Sequence, residues 1–408
     1  MKKTYLLILA VFALIGCSKH NPDKIQDPNA WIEDESLPVP IMFGSPDAGA
    51  MTKAMVTDLT ELHGKDIGVF GLDMETSTNG YWYTSGNFPN PQTVLLNNQS
   101  SEVDADGRLY FKNTSGQRES KFYPLSGGQN FSFYAYYPKL NYKSSGQTVG
   151  LECIGGYSAN ARYVATYEIG HTDILWAKSV AEDYKFDGGS ISGYNGAYIR
   201  KVTKTEETDD KIKPYLPNFE FEHLLTAVEF TLQSDQEAVN ALEAANAKIV
   251  GLSIDNTYKW ASFTIADNAK GTAHTPTITP LDRDIYSVYL KSKDSDTANH
   301  PFSVNMKTDA NYDNGLYSYS FGNGLMLLPE PADKYFETTL YIEIDNRIEP
   351  VKFKIEDPNV NTSSPRNFAA GYKYHFTIIV KGPMEVVAYA TLKEWQDGNV
   401  INPIDPMN

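Results

Sequence analysis

The chain reads as all-β, with two β-sandwiches in tandem. Three observations predict this. Tyrosine (27) and phenylalanine (19) are abundant among the 408 residues, and aromatic side chains suit the half-buried surface of a sheet. Long stretches of helical period are nearly absent, while short apolar or alternating runs recur between turn residues. The length exceeds what one hydrophobic core ordinarily holds, so two domains are expected. The formal net charge of −16 repels nucleic acid and anionic lipid, so neither is an expected partner.

The first residues are export signal rather than fold. Lys2 and Lys3 precede a short apolar run, residues 5–15, too brief to cross a membrane but suited to a secretory signal over residues 1–16. Leu14-Ile15-Gly16-Cys17 resembles a bacterial lipobox, in which cleavage before the cysteine accompanies lipidation of its thiol. Acyl chains on Cys17 make a lasting anchor, since each buried methylene contributes about 0.8 kcal/mol. Residues 17–36 are polar, contain Pro22 and Pro28, and read as a flexible lipid tether. The other cysteine, Cys153, then has no partner for a disulfide and reads as a small buried hydrophobe.

The first sandwich is expected over residues 37–212. It opens on residues 37–43 (LPVPIMF), where Leu37, Val39, Ile41 and Phe43 alternate and give one apolar face. Pro38 and Pro40 lie two apart, so their missing amide donors fall along the same edge. An edge strand is expected, able to leave without dismantling the sheet. Residues 66–72 (DIGVFGL) alternate, residues 80–84 (GYWYT) are short and aromatic, and residues 104–107 (DADG) mark a hairpin turn before Leu109. Residues 130–138 (NFSFYAYYP) and 172–178 (TDILWAK) read as further strands. Residues 201–217 are charged, hold two prolines and show no periodicity, which marks a boundary at 212–213.

The second sandwich is expected over residues 213–408. Residues 219–232 hold one or two strands. Residues 234–248 carry the one short helix, with Ser234 as its cap and Glu237 completing a capping box. Strands follow at 249–254, 259–265, 286–290, 315–321, 325–328, 338–344 and 350–355. Two long ones, 372–381 (YKYHFTIIVK) and 385–393 (EVVAYATLK), close the domain around Gly382-Pro383, and residues 396–408 read as a tail.

Residues suited to chemistry are scarce. The seven histidines include no pair at metal-ligand spacing, and no nucleophile elbow, phosphate loop or dinucleotide fingerprint occurs. No catalysis, metal or cofactor is therefore expected. Glu343 and Asp345, placed on one strand face, read as solvated charge. Tyr81, Trp82 and Tyr83, or Tyr134 and Tyr136, could stack on a sugar ring or simply cover a sheet.

The segments in their order resemble the bacterial fimbrillins, or type V pilins. The resemblance spans nearly the whole chain. It rests on Cys17, on Thr52-Lys53-Ala54 followed by residues 67–70 (IGVF), and on Tyr123-Pro124 ahead of residues 131–138. It continues through residues 173–177 (DILWA), 221–225 (FEHLL), 371–376 (GYKYHF) and 390–398 (ATLKEWQDG). It implies two transthyretin-like β-sandwiches and a lipoprotein of the outer membrane and cell surface. It also implies assembly by donor-strand exchange with other fimbrial subunits. A trypsin-like protease would cut Lys53-Ala54, although many relatives carry arginine there. The strand with Leu37, Val39, Ile41 and Phe43 would leave, and a neighbour's strand would take its place. By the same analogy Val386, Ala388, Ala390 and Leu392 face a strand that could be donated, or that simply closes the second domain. Asp296-Thr297-Ala298 resembles a bacterial O-glycosylation acceptor. The sequence thus reads as a fimbrial subunit or tip adhesin. The alternative is a surface lipoprotein that binds glycans through its aromatic stretches.

Overall fold

The structure is a computed structural model. It describes residues 30–43, 62–74, 80–84, 89–104, 109–125, 129–180, 184–186, 189–191, 193–204, 216–281, 286–290, 302–321, 324–329, 335–356 and 368–394. The expectations for Cys17, Lys53, Ala54, residues 296–298 and the tail after 395 fall outside these residues.

The architecture is that of an all-β chain. The first sheet has seven antiparallel strands. Their order is Glu222–His223, Leu175–Ser179, Phe131–Tyr137, Ile67–Asp73, Val94–Val103, Leu109–Lys112 and Arg118–Glu119. Alternation puts Phe70, Leu72, Tyr134 and Tyr136 on one face, and Ile67, Val69, Phe133 and Ala135 on the other. All seven residues of Ile67–Asp73 are buried, because both faces are covered.

The inner face packs on a second sheet, ordered Ile278–Leu281, Trp260–Asp267, Arg162–Glu168 and Gly150–Ile154. Aromatic rings fill the space between them: Phe70 and Tyr163 lie 4.3 Å apart, Trp82 and Tyr163 5.2 Å. The Trp176 indole donates across the sandwich to the Ile265 carbonyl at 2.9 Å. This second sheet crosses the boundary expected at 212–213. Trp260–Asp267 pairs with Arg162–Glu168, from Trp260↔Glu168 to Asp267↔Arg162. Likewise Glu222–His223 joins the first sheet through Leu175 and Trp176.

Apart from a two-stranded sheet of Tyr184–Phe186 and Gly189–Ile191, the remaining strands build the other sandwich. Its larger sheet runs Asn311–Asp313, Leu316–Ser320, Thr226–Asp235, Tyr372–Gly382, Glu385–Glu394, with Leu325–Leu327 also on Thr226–Asp235. Its smaller sheet runs Tyr286–Tyr289, Lys248–Thr257, Tyr335–Ile344, Arg347–Glu356. Phe230, Leu252, Leu340, Tyr374, Phe376 and Ile378 sit in its core.

Several local expectations are corrected. Three α-helices are present among the described residues: α1 (Ala30–Glu33), α2 (Gly196–Lys204) and α3 (Gln236–Ala244). The start of the charged stretch read as a boundary is the end of α2. Helix α3 is capped by Asp235, whose carboxylate accepts from the Ala238 amide at 2.8 Å. Ser234, one residue earlier, lies within the strand Thr226–Asp235 and donates to the Val380 carbonyl at 2.9 Å, so Glu237 completes no capping box. Residues 80–84 form no strand. Trp82 is buried there as a wedge, its indole donating to the Asp73 carbonyl at 2.9 Å. Asp345 is not on a strand with Glu343 but in the following turn, at φ 47°.

Candidate functional site

The outer face of the first sheet is an apolar groove. Val69, Phe111, Phe133, Ala177 and Phe221 are among the buried residues that line it. Residues 37–43 lie in this groove, with Val39 3% and Ile41 6% exposed. Phe43, half-buried, stacks on Phe219 at 4.8 Å and meets Phe133 and Phe111 edge-on at 5.3 and 5.6 Å. Each side chain so buried contributes about 1.5–3 kcal/mol.

The segment is not the edge strand that alternation predicts. It makes one isolated bridge, Pro40↔Phe122. The Ile41 amide donates to the Lys121 carbonyl at 2.7 Å, and the Tyr123 amide to the Val39 carbonyl at 2.9 Å. Backbone groups alternate in direction along an extended chain, so Pro38 and Pro40 face the other edge and offer it no N–H. A ladder can form only toward residues 121–123. The segment is thus a ribbon bonded toward residues 121–123 and packed on a sheet face.

Helix α2 begins against the Val39 and Tyr123 side chains. Gly196 permits the approach: a Cβ there would sit 3.4 Å from the Val39 Cβ and 3.2 Å from that of Tyr123. One turn on, the Arg200 guanidinium donates from Nη2 to the Leu37 carbonyl at 2.5 Å. Upstream, α1 packs against α2, and Ile32 joins the groove cluster. Asp34 accepts from both the amide and the hydroxyl of Ser36, at 2.9 and 2.6 Å. Those bonds, and less so the Arg200 charge, hold its carboxyl below the usual range. Under the ribbon, burial pushes the Tyr123 phenol well up.

At the far end the groove opens. Tyr137, Leu175 and His223 form one cross-strand row. With Leu62 and Asp173 they line a cavity of about 300 Å³. His223 Nδ1 and Asp173 Oδ2 lie 2.6 Å apart. Among the described residues no three His, Cys, Asp or Glu side chains cluster to hold a metal.

Other expected site residues fall elsewhere. Val386 and Ala388 pack half-buried against the second core. Their strand is paired throughout with Tyr372–Gly382, including Phe376↔Ala390 and Tyr374↔Leu392. It closes the second sandwich. The aromatic platforms are not platforms: Trp82, Tyr134 and Tyr136 are 0% exposed and Tyr83 is buried, leaving Tyr81. Glycan binding through Trp82, Tyr134 or Tyr136 is therefore overturned, because these rings face the second sheet. Sequence reasoning missed Gly196 and Arg200. A helical reading of Gly196-Ala197-Tyr198-Ile199-Arg200, with Tyr198 and Ile199 apolar, was the signal available.

The sequence profile of the fimbrillin-like proteins matches residues 52–395. The chain belongs to the fimbrillin-like family. Membership points to a structural protein of surface fimbriae rather than an enzyme, with other fimbrial subunits as its partners. No curated protein matches the chain. Among solved structures it is similar to a candidate cell adhesion protein of Bacteroides uniformis ATCC 8492. The two share 16% identity over 89% of this chain and 100% of that one, with a TM-score of 0.43. A second such protein, from Bacteroides ovatus ATCC 8483, shares 14% identity over 89% and 99%, with a TM-score of 0.42. The fimbrial anchor protein Mfa2 of Porphyromonas gingivalis shares 11% identity over 88% and 98%, with a TM-score of 0.36. The family assignment rests on the sequence match.

Proposed function

We propose that this fimbrillin-like protein is a fimbrial subunit or tip adhesin. In this reading it is exported as a lipoprotein through Cys17, and it joins its neighbours by donor-strand exchange once the leading ribbon is removed. One observation carries the reading. Residues 37–43 fill an apolar groove and, among the described residues, are bonded to a sheet neighbour only at 121–123, so their departure leaves the sheets whole and uncovers a seat for another strand. Processing at Lys53-Ala54 would separate the ribbon from the body, and lipid on Cys17 would hold the precursor at the outer membrane. The test is limited trypsin treatment of the purified precursor, with amino-terminal sequencing and electron microscopy. A new terminus at Ala54 together with filaments supports the reading. A cut precursor that stays monomeric under every condition overturns strand exchange.

A further inference from the structure

We propose that residues 30–43 are a latched plug, which stays seated after the backbone beyond it is cut, and that Arg200 is the latch. The inference rests on the strand-exchange reading for its biological use. The latch itself is a property of the seat and can be measured without polymerisation.

Among the described residues, the contacts that hold the plug come from elements well downstream of it, from Phe111 to Phe219. Val39 and Ile41 are buried, and Phe43 stacks among Phe111, Phe133 and Phe219. Two backbone hydrogen bonds tie the plug to Lys121 and Tyr123. Helix α1 rests on α2, and Arg200 donates to the Leu37 carbonyl at 2.5 Å. A guanidinium on a half-buried carbonyl is a charge-assisted bond, stronger than a neutral one.

The consequence is a change in what controls release. If cutting were sufficient, a cut precursor would expose its groove at once and aggregate through it. With the latch closed, the plug protects the groove until a competing strand displaces it. Arg200 is then a positioning residue of the seat, able to hold the carbonyl of whichever segment lies there.

The experiment places a foreign protease recognition sequence at Lys53, cuts the purified protein, and follows the amino-terminal peptide by native mass spectrometry. The cut wild type is expected to keep its peptide through gel filtration. Arg200→Ala should release it about tenfold faster or more, the factor expected for one charge-assisted bond. Arg200→Lys, which keeps one donor but not the planar fork, should fall between them. Intact Arg200→Ala should melt close to wild type, which separates loss of the latch from misfolding. If that variant does not fold, a fluorescent copy of residues 30–43 added to the cut wild type supplies the same reading. Slow uptake means an occupied seat, and immediate uptake means an empty one. Loss of the peptide from the wild type during the first gel filtration overturns the plug, and equal retention by Arg200→Ala overturns the latch. Retention with no later filaments would leave the latch standing and count against strand exchange.

Discussion

The ribbon at residues 37–43 and the closing strand Glu385–Glu394 are both alternating apolar segments near the ends of the chain, and they are held in different ways. The closing strand is paired in register from Tyr372↔Glu394 to Gly382↔Glu385. Among the described residues the ribbon has one bridge, two backbone bonds to residues 121–123 and a guanidinium. Alternation alone therefore says which face of a segment is buried, and the backbone donors say whether the segment is part of a sheet. Here Pro38 and Pro40 offer no amide donors, and the ribbon lies on a sheet face rather than in a ladder. A segment held mostly by side chains can leave its place, whereas a fully laddered one takes its sheet with it.

Truncation tests this contrast most harshly. Ending the chain after Gly382 removes the outer strand of the larger second-sandwich sheet and strips one edge of Tyr372–Gly382. The second sandwich is expected to lose its cooperative melt. Starting the chain at residue 44 should leave β-sheet circular dichroism intact while raising binding of a hydrophobic dye, because the groove is then open. If both truncations unfold the protein equally, the ribbon is structural and the contrast fails.

Single substitutions sharpen it. Phe376, 1% exposed between its neighbours in the second core, should cost about 3–5 kcal/mol when replaced by alanine. Ile41→Ala removes a side chain just as well buried and would ordinarily cost about 2–5 kcal/mol. Its cost is capped, however, because a weakened ribbon can detach and spare the sheets further strain. Urea unfolding should thus shift its whole midpoint for Phe376→Ala. For Ile41→Ala it should show an early, small transition in a probe attached at the ribbon.

A smaller effect separates the two by pH. The parallel pair formed by Thr226–Asp235 and Tyr372–Gly382 carries Glu229 opposite His375. Glu229 lies 3.9 Å from His375 Nδ1 and 3.1 Å from Lys373 Nζ. The neighbouring His375, then the Lys373 charge, lowers its carboxyl from 4.5 to about 2. The folded form binds its proton less readily than the unfolded form, so this stabilisation is complete above about 4.5 and fades as pH falls toward 2. Because the carboxylate is half-exposed, the effect should stay below about 1 kcal/mol. Glu229→Gln should flatten that acid limb for the second sandwich and leave ribbon release unchanged. An unchanged acid limb in the variant would remove Glu229 from the account.

Much of the fold was legible in sequence because alternation reports burial directly. Residues 66–72, 130–138, 372–381 and 385–393 were all placed as strands. Partners were not legible, because pairing of Trp260–Asp267 with Arg162–Glu168 joins segments roughly a hundred residues apart with no turn to announce it. Helix α2 was hidden by the β-branched and aromatic residues in Gly196–Lys204, and the charge that follows it looked like a linker. For the site, the buried face of residues 37–43 and the one-sided missing donors could be read. That the ribbon lies on a face rather than an edge could not, since this depends on Lys121, Tyr123 and Arg200 arriving from elsewhere in the chain.

The smallest expected effect bears on that last point. Pro40→Ala restores an amide on the edge turned away from Lys121. Proline at a position whose backbone suits it stabilises chiefly by restricting the unfolded chain, so the reverse change should cost about 0.4–1 kcal/mol. The new amide faces away from residues 121–123, where no backbone bond to the ribbon is made among the described residues, so it should bring no compensation. Release of the cut peptide should be a few-fold faster than from wild type, well short of the effect of Arg200→Ala. A slower release would mean that an acceptor was waiting on that side. The ribbon would then be bonded on both edges once proline is removed, and its looseness would be the work of two prolines rather than of its place on the sheet face.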